Sequence, residues 1–547
     1  MILERFGIHH FLKLIGNKNR IKLFSIFLFF FLSTILELFS IAMIIPVLSD
    51  FGLTPEMMGF FNFFKIGWIL ELDLIYKSLI LLGIVLFKNI YQIVVQYNLH
   101  KLGSNIESYI TNSLLMNFIF MDFIEYSEKS SGELIKNCSS DCNRLNLFYF
   151  IPLMIILSDI LLLILILVLI FSVFFKISII IFPILGIIVF AYHILSGKNV
   201  IKWGLELNSN DKKRLDIINE VFFNIETIKL IFKHEFFLNK FNKANEIYLK
   251  SSYLQKTLQN VTKNFYEIII FLGLVILVFV TDKERLIVTL GIFAVSVFKL
   301  LPSLNRITSN LNSLKFSLPI LKSIKIDNII PKPSKIGKVI FSKLELIDLN
   351  FGYQKENKLI FKKLNIQINK GEFVGIIGKS GVGKSTLIKL LLGYLKPDQG
   401  QIKINGRIDN VDRIKYSFVP QKINLINDSI KKNIAFGENS INQKSLEKAV
   451  KLSKLEETIR ELPNGIETKV GELGSKFSGG QIQRIGIARA LYTNPDIIIF
   501  DESTNSLDKN TEKDFFDTLK DINGSLTIIF ITHNPENNRY FSKIIKL

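Results

Sequence analysis

At 547 residues the chain is too long for one domain, and 49% hydrophobic residues at a mean hydropathy of +0.34 exclude a wholly soluble protein. The 21% of charged residues equally excludes a wholly lipid-embedded one. Net charge is +19, but the first 340 residues hold 35 basic against 24 acidic residues and the remainder 32 against 24. The larger excess therefore lies in the apolar half, where it fits basic loops beside a membrane better than a nucleic-acid groove, and no nucleic-acid partner is expected.

Six apolar runs long enough to span ~30 Å of hydrocarbon stand in the first 310 residues, at about 22–47, 77–99, 152–175, 177–197, 261–281 and 286–304. The first is too long for a signal-peptide core and is read as a helix. Arg5, Lys13, Lys18, Arg20 and Lys22 precede it, which places the N-terminus on the cytoplasmic side. Between spans 1 and 2, the apolar, aromatic segment from Leu53 to Phe64 is too short to cross. It either lies along the interface as an amphipathic helix or packs as a loop on the helix ends. The connections 98–151 and 198–260 are long, polar and poor in Gly and Pro, with apolar residues at helical spacing. They are expected to continue spans 2 to 5 into the cytoplasm as two helical hairpins. Cys138 and Cys142 fall in the first of these, and no nearby His or Cys completes a tetrahedral metal set, so free thiols are expected.

Ionisable residues within the spans are few: Glu37, Lys88, Asp159, Glu267 and Lys299, with Arg306 just beyond. Charge is costly in lipid, so each is a candidate for facing a cavity. Glu267 and Arg306 lie near helix ends and can instead snorkel to water. Lys88 and Lys299 lie deeper and can meet an anionic substrate group.

Pro331-Lys332-Pro333-Ser334 marks a linker, and from Phe341 short apolar strands alternate with helical stretches. The expected organisation is a six-helix membrane domain over 1–320, a linker over 321–340 and an α/β domain over 341–547. After the strand Phe373-Val374-Gly375-Ile376-Ile377 comes Gly378-Lys379-Ser380-Gly381-Val382-Gly383-Lys384-Ser385-Thr386, a P-loop. Its glycines let backbone N–H groups surround phosphates at a helix N-terminus, Lys384 can reach the β- and γ-phosphates, and Ser385 can ligate Mg²⁺. Ile497-Ile498-Ile499-Phe500-Asp501-Glu502 is an apolar strand ending in two acids: Asp501 suits the Mg²⁺ shell and Glu502 can polarise the attacking water. His533 follows the strand Thr527-Ile528-Ile529-Phe530-Ile531, where it can contact a γ-phosphate.

Phe477-Ser478-Gly479-Gly480-Gln481, just before the acidic strand, resembles the signature of ABC ATPases, with Phe477 where Leu is usual. Nearly the whole chain is similar to an ABC exporter half-transporter. The fold that this implies is a membrane α-helical domain of six transmembrane helices with long cytoplasmic extensions, followed by an α/β P-loop nucleotide-binding domain. The resemblance implies an ATPase using ATP and Mg²⁺ and working with a second copy of itself. Ser478, Gly479, Gly480 and Gln481 would then close over ATP held by the partner's P-loop. Tyr353 fits the position that stacks on adenine, and Gln421 the Q-loop that touches Mg²⁺. Gly471-Glu472-Leu473-Gly474 resembles the exporter-specific loop, and Asp508 in Ser506-Leu507-Asp508 falls in the D-loop. Asp122-Phe123-Ile124-Glu125-Tyr126-Ser127 and Asn224-Ile225-Glu226-Thr227-Ile228-Lys229-Leu230 are similar to the two coupling helices. The stretch from Leu36 to Pro46, with the outer segment after it, is similar to lipid-linked oligosaccharide flippases of bacterial protein glycosylation. That likeness implies an amphipathic lipid substrate with Lys88 and Lys299 facing its pyrophosphate; Arg306 is a further candidate for substrate contact, and a bacterial inner membrane, with the ATPase domain in the cytoplasm, is the expected location. Export of a peptide, a drug or a lipid A-like glycolipid is the alternative.

Overall fold

The computed structural model describes residues 7–43, 47, 68–69, 72–173, 175–280, 286–324, 339–353, 359–379, 381–408, 411–471, 474–502, 509–522 and 526–547. Within these, side chains 41–42, 169–173, 175–196, 270, 276–277, 280, 286–299, 412, 509–511 and 521–522 are not described. The outer segment from Leu53 to Phe64 and the Pro331–Ser334 linker fall outside the described residues. The chain forms two compact units, one of 1–121 with 125–330 and one of 331–547 with Asp122–Ile124.

In the first unit a short helix α1 (Ile8–Leu14) leads into six long helical stretches among the described residues. They are α2 (Gly16–Ala42), α3 (Leu74–Ile119), α4 (Ile151–Val173), α5 (Phe175–Phe223), α6 (His234–Val280) and α7 (Leu286–Ser323). Three described helical runs are long and apolar enough to cross a membrane: Gly16–Ser40, Leu74–Ile119 and Ser131–Val168. At 1.5 Å per residue, the 49-residue α5 is about 73 Å long, more than twice the hydrocarbon thickness of ~30 Å. The expectation that the long polar connections are helical hairpins is therefore met. Sparse Gly and Pro let α3, α5 and α6 run on, and short helices Phe123–Glu128 and Ile225–Leu230 mark the reversals.

Polar and apolar side chains sort these helices. Phe24, Leu28, Leu82, Phe87, Ile90 and Ile93 are large, apolar and exposed, an arrangement that water penalises and lipid does not. The inward faces form a core in which Phe11, at 1% exposure, stands 4.9 Å from the Tyr149 ring and pins α1 onto the bundle. Where α5 meets α7 the backbones nearly touch: a Cβ on Gly204 would lie 2.3 Å from the Phe316 carbonyl oxygen, so only glycine fits. Both cysteines carry free thiols.

The second unit contains two sheets. Strands β1 (Lys343–Gly352), β2 (Leu359–Asn369), β4 (Gln399–Ile404) and β5 (Arg407–Ile408) form an antiparallel sheet in the order β2-β1-β4-β5. Strands β3 (Phe373–Ile377), β6 (Tyr416–Val419), β7 (Ile497–Asp501), β8 (Thr527–Thr532) and β9 (Lys543–Lys546) form a parallel sheet in the order β6-β7-β8-β3-β9. The central strands β3, β7 and β8 are near-continuous apolar runs, as a sheet covered on both faces requires. Register pairs Ile377 with Thr532, and Asp501 with Ile531, so the three strands end at one level. Ligand sites of open α/β sheets lie at such carboxyl ends. Within this unit Phe123 stacks on Tyr394 at 5.3 Å, and Lys389 Nζ lies 4.8 Å over the Phe123 ring.

Candidate functional site

The loop after β3 closes on helix α8 (Lys384–Leu391), whose N-cap Gly383 has φ 108°. That conformation disfavours any residue with a Cβ, and a Cβ here would also lie 2.6 Å from Ile360 Cγ2. The loop thus ends at the start of a helix, whose first unpaired amide groups are the kind that bind phosphate. Lys384 is buried, and its Nζ donates to the Gly378 carbonyl at 2.7 Å, bracing the loop. Ser385 is exposed on the outer side of the same turn, and Thr386 is buried beneath it.

Beside this loop β7 delivers Asp501 and Glu502. Glu502 adopts a left-handed backbone conformation (φ 47°), uncommon for a residue with a side chain, and its N–H bonds to the Ile531 carbonyl at 3.1 Å. The turn aims its carboxylate back across the strand ends. Gln421 Nε2 donates to Glu502 Oε2 at 3.1 Å, His533 Nδ1 lies 3.5 Å from Oε1, and Lys384 Nζ lies 3.8 Å from Oε1. Burial pushes the Asp501 carboxyl above its ordinary pKa, the Glu502 charge adds to that, and Lys384 pulls the other way. Two crowded carboxylates beside a P-loop are hard oxygen donors of the kind that suits Mg²⁺, with Gln421 at hydrogen-bond distance from one of them.

Tyr353 packs edge-on against Phe351 at 5.3 Å, with its hydroxyl 3.5 Å from Thr386 Oγ1, so it flanks the P-loop helix. The signature opens helix α9 (Gly479–Tyr492). Ser478 Oγ accepts from the Gln481 N–H at 3.3 Å while Gln481 Oε1 accepts from the Ser478 N–H at 3.0 Å, a capping box. The structure thus brings together Gly378, Lys384, Gln421, Asp501, Glu502 and His533. It does not bring Ser478, Gly479 or Gly480 to them; the described hydrogen bonds of Ser478 are its own helix cap. Phe477 packs into the apolar cluster behind that helix, which accommodates the ring where Leu is usual. Lys379, Gly381 and Val382 lie on the loop, and the expectations for Ser380, Glu472, Leu473 and Asp508 fall outside the described residues.

The membrane unit holds a second site. A cavity of about 560 Å³ is lined by Ser33, Gln92, Ser158, Pro302 and two ion pairs. Lys88 Nζ meets Glu37 Oε2 at 2.7 Å, with the lysine side chain 8% exposed. Arg306 grips Asp159 with both Nε (2.9 Å) and Nη2 (2.7 Å), and Nη2 also donates to Ser303 at 3.2 Å. Arg306 pairs with Asp159 while its own side chain stays about half exposed, so the pairing and contact with water coexist, and Lys88 has a carboxylate partner in Glu37. Glu267 lies within α6, half-exposed and 3.9 Å from Lys263 on the preceding turn. The Lys299 side chain falls outside the described residues. The sequence holds a signal for these pairings, since Glu37 and Asp159 on two spans are matched by Lys88 and Arg306 on or beside two others. One chain alone does not say which faces which.

The fold and the site define a multi-pass membrane protein carrying a P-loop ATPase. Residues 23–296 match the ABC transporter transmembrane region and residues 361–505 the ABC transporter ATPase family, and the chain belongs to the ABC transporter family. It is a half-transporter by architecture, an ATPase coupled to transport and of the exporter type. A Rickettsia typhi protein named for export ATP-binding/permease function is 28% identical over 475 residues, covering 80% of this chain and 78% of the relative. An ATP-dependent lipid A-core flippase of Saccharophagus degradans is 39% identical over 196 residues, 35% of this chain and 33% of the relative. The fold is that of a bacterial Atm1-family ABC exporter solved with ATP bound: TM-score 0.77, 19% identity, 97% of this chain and 93% of that one.

Proposed function

We propose that this protein is an exporter or flippase that works as a homodimer in a bacterial inner membrane, with its ATPase domains in the cytoplasm. Its cargo is an amphipathic lipid moved outward, a lipid-linked oligosaccharide. The observation that carries this reading is the polar, ion-pair-lined cavity set among helices whose outer faces are apolar. Such a cavity suits a polar head group, while the tail stays among exposed apolar side chains. Hydroxyl, amide and charged groups at Ser33, Gln92, Ser158, Asp159 and Arg306 can hydrogen-bond a glycan. A pyrophosphate reaching Lys88 or Arg306 must displace Glu37 or Asp159. The lipid A-core flippase likeness supports the class of machine more than the cargo, because it covers 35% of this chain.

In the ATPase site, Tyr353 packs on adenine, the 378–386 loop holds the phosphates and Lys384 neutralises them. Ser385, Gln421 and Asp501 would hold Mg²⁺, which screens phosphate charge. Glu502 orients and deprotonates the attacking water while His533 contacts the γ-phosphate. Ser478, Gly479, Gly480 and Gln481 of the second copy close the site, with Asp508 beside it. Reaching phosphate is compatible with Ser478 remaining a cap, since the exposed end of a 14-residue helix is already an anion-binding dipole.

The test is ATP-driven movement of a polyprenyl-pyrophosphate oligosaccharide in proteoliposomes, with Glu502→Gln as control. Movement that requires ATP and disappears in the variant is the expected result. Hydrolysis without movement of that lipid would remove the flippase reading and turn attention to peptide, drug and lipid A-like substrates.

A further inference from the structure

The helix leading into α4 is not regular. Between Ser131–Lys136 and Ile151–Val173 it passes through two π-helical turns, Asn137–Asp141 and Asn146–Phe150, on either side of one α-helical turn, Cys142–Leu145. Each π turn adds a residue to the α register and weakens hydrogen-bond geometry, and such turns recur where helices shift. Arg144 stands on the α turn between them. Its Nη1 donates to Asp211 Oδ2 on α5 at 2.9 Å and its Nη2 to Tyr248 Oη on α6 at 3.1 Å. One guanidinium, 14% exposed, therefore ties three helices together. Arg214 braces the far side, donating to Asp211 Oδ1 at 3.3 Å and lying 4.0 Å over the Tyr248 ring.

A second carboxylate stands on Arg144's own helix. Asp141 is fully buried, its Oδ2 accepts from Lys136 Nζ at 2.8 Å, and its Oδ1 accepts no hydrogen bond. That Oδ1 lies 3.8 Å from Arg144 Nη1, beyond hydrogen-bond reach but within a small side-chain rotation. Stripping a buried guanidinium of its carboxylate is strongly unfavourable, so helices joined by one separate only where another acceptor is ready. Asp141 Oδ1 meets that requirement and otherwise carries an unmet cost of its own.

We infer that Arg144 is a positioning residue for transport, a latch with two seats. In one half of the cycle it holds Asp211 and Tyr248 on the neighbouring helices; in the other it turns to Asp141, releasing its own helix and leaving Asp211 and Tyr248 to Arg214. The flanking π turns absorb the register change that the exchange requires. The two-state element is local, and each seat offers a carboxylate, so nucleotide state can bias which one is taken. The inference holds whichever substrate is carried.

Hydrogen–deuterium exchange of the full-length protein in lipid nanodiscs, with and without Mg-ATP, tests it. Segments 137–150 and 208–214 read the latch, while protection of the 378–386 loop reports nucleotide binding separately. Asp211→Asn removes the outer seat and Asp141→Asn the inner one. The two variants should shift nucleotide-free exchange of these segments in opposite directions, about threefold or more each, and both should lose most of the ATP-induced change. Because Asp141→Asn strips Lys136 of its partner, the double variant Lys136→Gln/Asp141→Asn is measured alongside and should give the same direction. Shifts in the same direction for the inner- and outer-seat variants would reduce Arg144 to a structural brace and overturn the latch. So would an ATP response of wild-type size in either, or no response of these segments in the wild type.

Discussion

Each unit sets a lysine against a glutamate, and the two pairs differ. Lys384 and Glu502 in the ATPase stand 3.8 Å apart, with side chains 10% and 21% exposed. Lys88 and Glu37 in the membrane unit close to 2.7 Å at a similar burial of 8% and 16%. At the ATPase site each charge is held by a weaker partner: Lys384 by the Gly378 carbonyl, Glu502 by Gln421. A phosphate can take the lysine without first breaking a direct ion pair. In the bundle the two charges bury together against the cavity wall and the pair shuts. A site built for rapid exchange of ligands keeps its opposite charges apart, and the cavity pair is closed instead.

The comparison breaks most visibly at Glu502. Glu502→Gln should lower ATP hydrolysis by about 10²–10⁴-fold while leaving ATP binding intact, read as phosphate release against nucleotide affinity. A loss of binding instead would mean that the carboxylate mainly supports Lys384. In the membrane pair the expected effect is on stability. Lys88→Met leaves Glu37 without its lysine and should cost about 3–5 kcal/mol, seen as a lower Tm in detergent. Adding Glu37→Gln should recover most of it; failure to recover would show that the pair is not the closed unit described.

The two sites also differ in how far they could be read from the sequence. The P-loop, the acidic strand end and His533 follow contiguous or near-contiguous residues, and the parallel sheet gathers them because β3, β7 and β8 are neighbours. Those parts of the site needed only local pattern. The membrane cavity draws Glu37, Lys88, Asp159 and Arg306 from four helices. Apolar runs reveal how deep such a residue lies in its span but not which way it faces, so Lys88 was legible as buried and its partner was not. The same holds for Arg144 and Tyr248, and the π turns beside Arg144 leave no mark in the spacing of apolar residues. The antiparallel sheet of β1, β2, β4 and β5 was likewise invisible as a sheet, since its pairings cross more than fifty residues at Leu344 and Ile404.

Two smaller effects sharpen the contrast. Gly383→Ala imposes a left-handed backbone and a clash with Ile360, and should weaken ATP affinity by about 10-fold through ~1–3 kcal/mol of strain. Unchanged affinity would mean that the loop relaxes freely. For Asp501 the sign follows from its raised pKa: the charged form is the disfavoured one in the empty site, so its destabilising effect appears as pH rises through the folded pKa and vanishes in acid. Asp501→Asn should therefore raise the Tm of nucleotide-free protein at pH 7 by about 1–2 °C, with the gain fading as pH falls into the carboxylate range. The same substitution should lower hydrolysis, which separates the cost of the charge from its use.

The length of α5 has a mechanical consequence. With about 30 Å inside the hydrocarbon, roughly 40 Å of the helix projects beyond it as a single rod. Pivoting that arm by about 8° at the membrane surface carries its free end through about one helical pitch of ~5.4 Å. Leverage of this kind exchanges a broad, low-force swing at one end for a small, forceful displacement at the other. The bundle can reorganise with motions of the size of one side chain, provided no joint along the rod gives way.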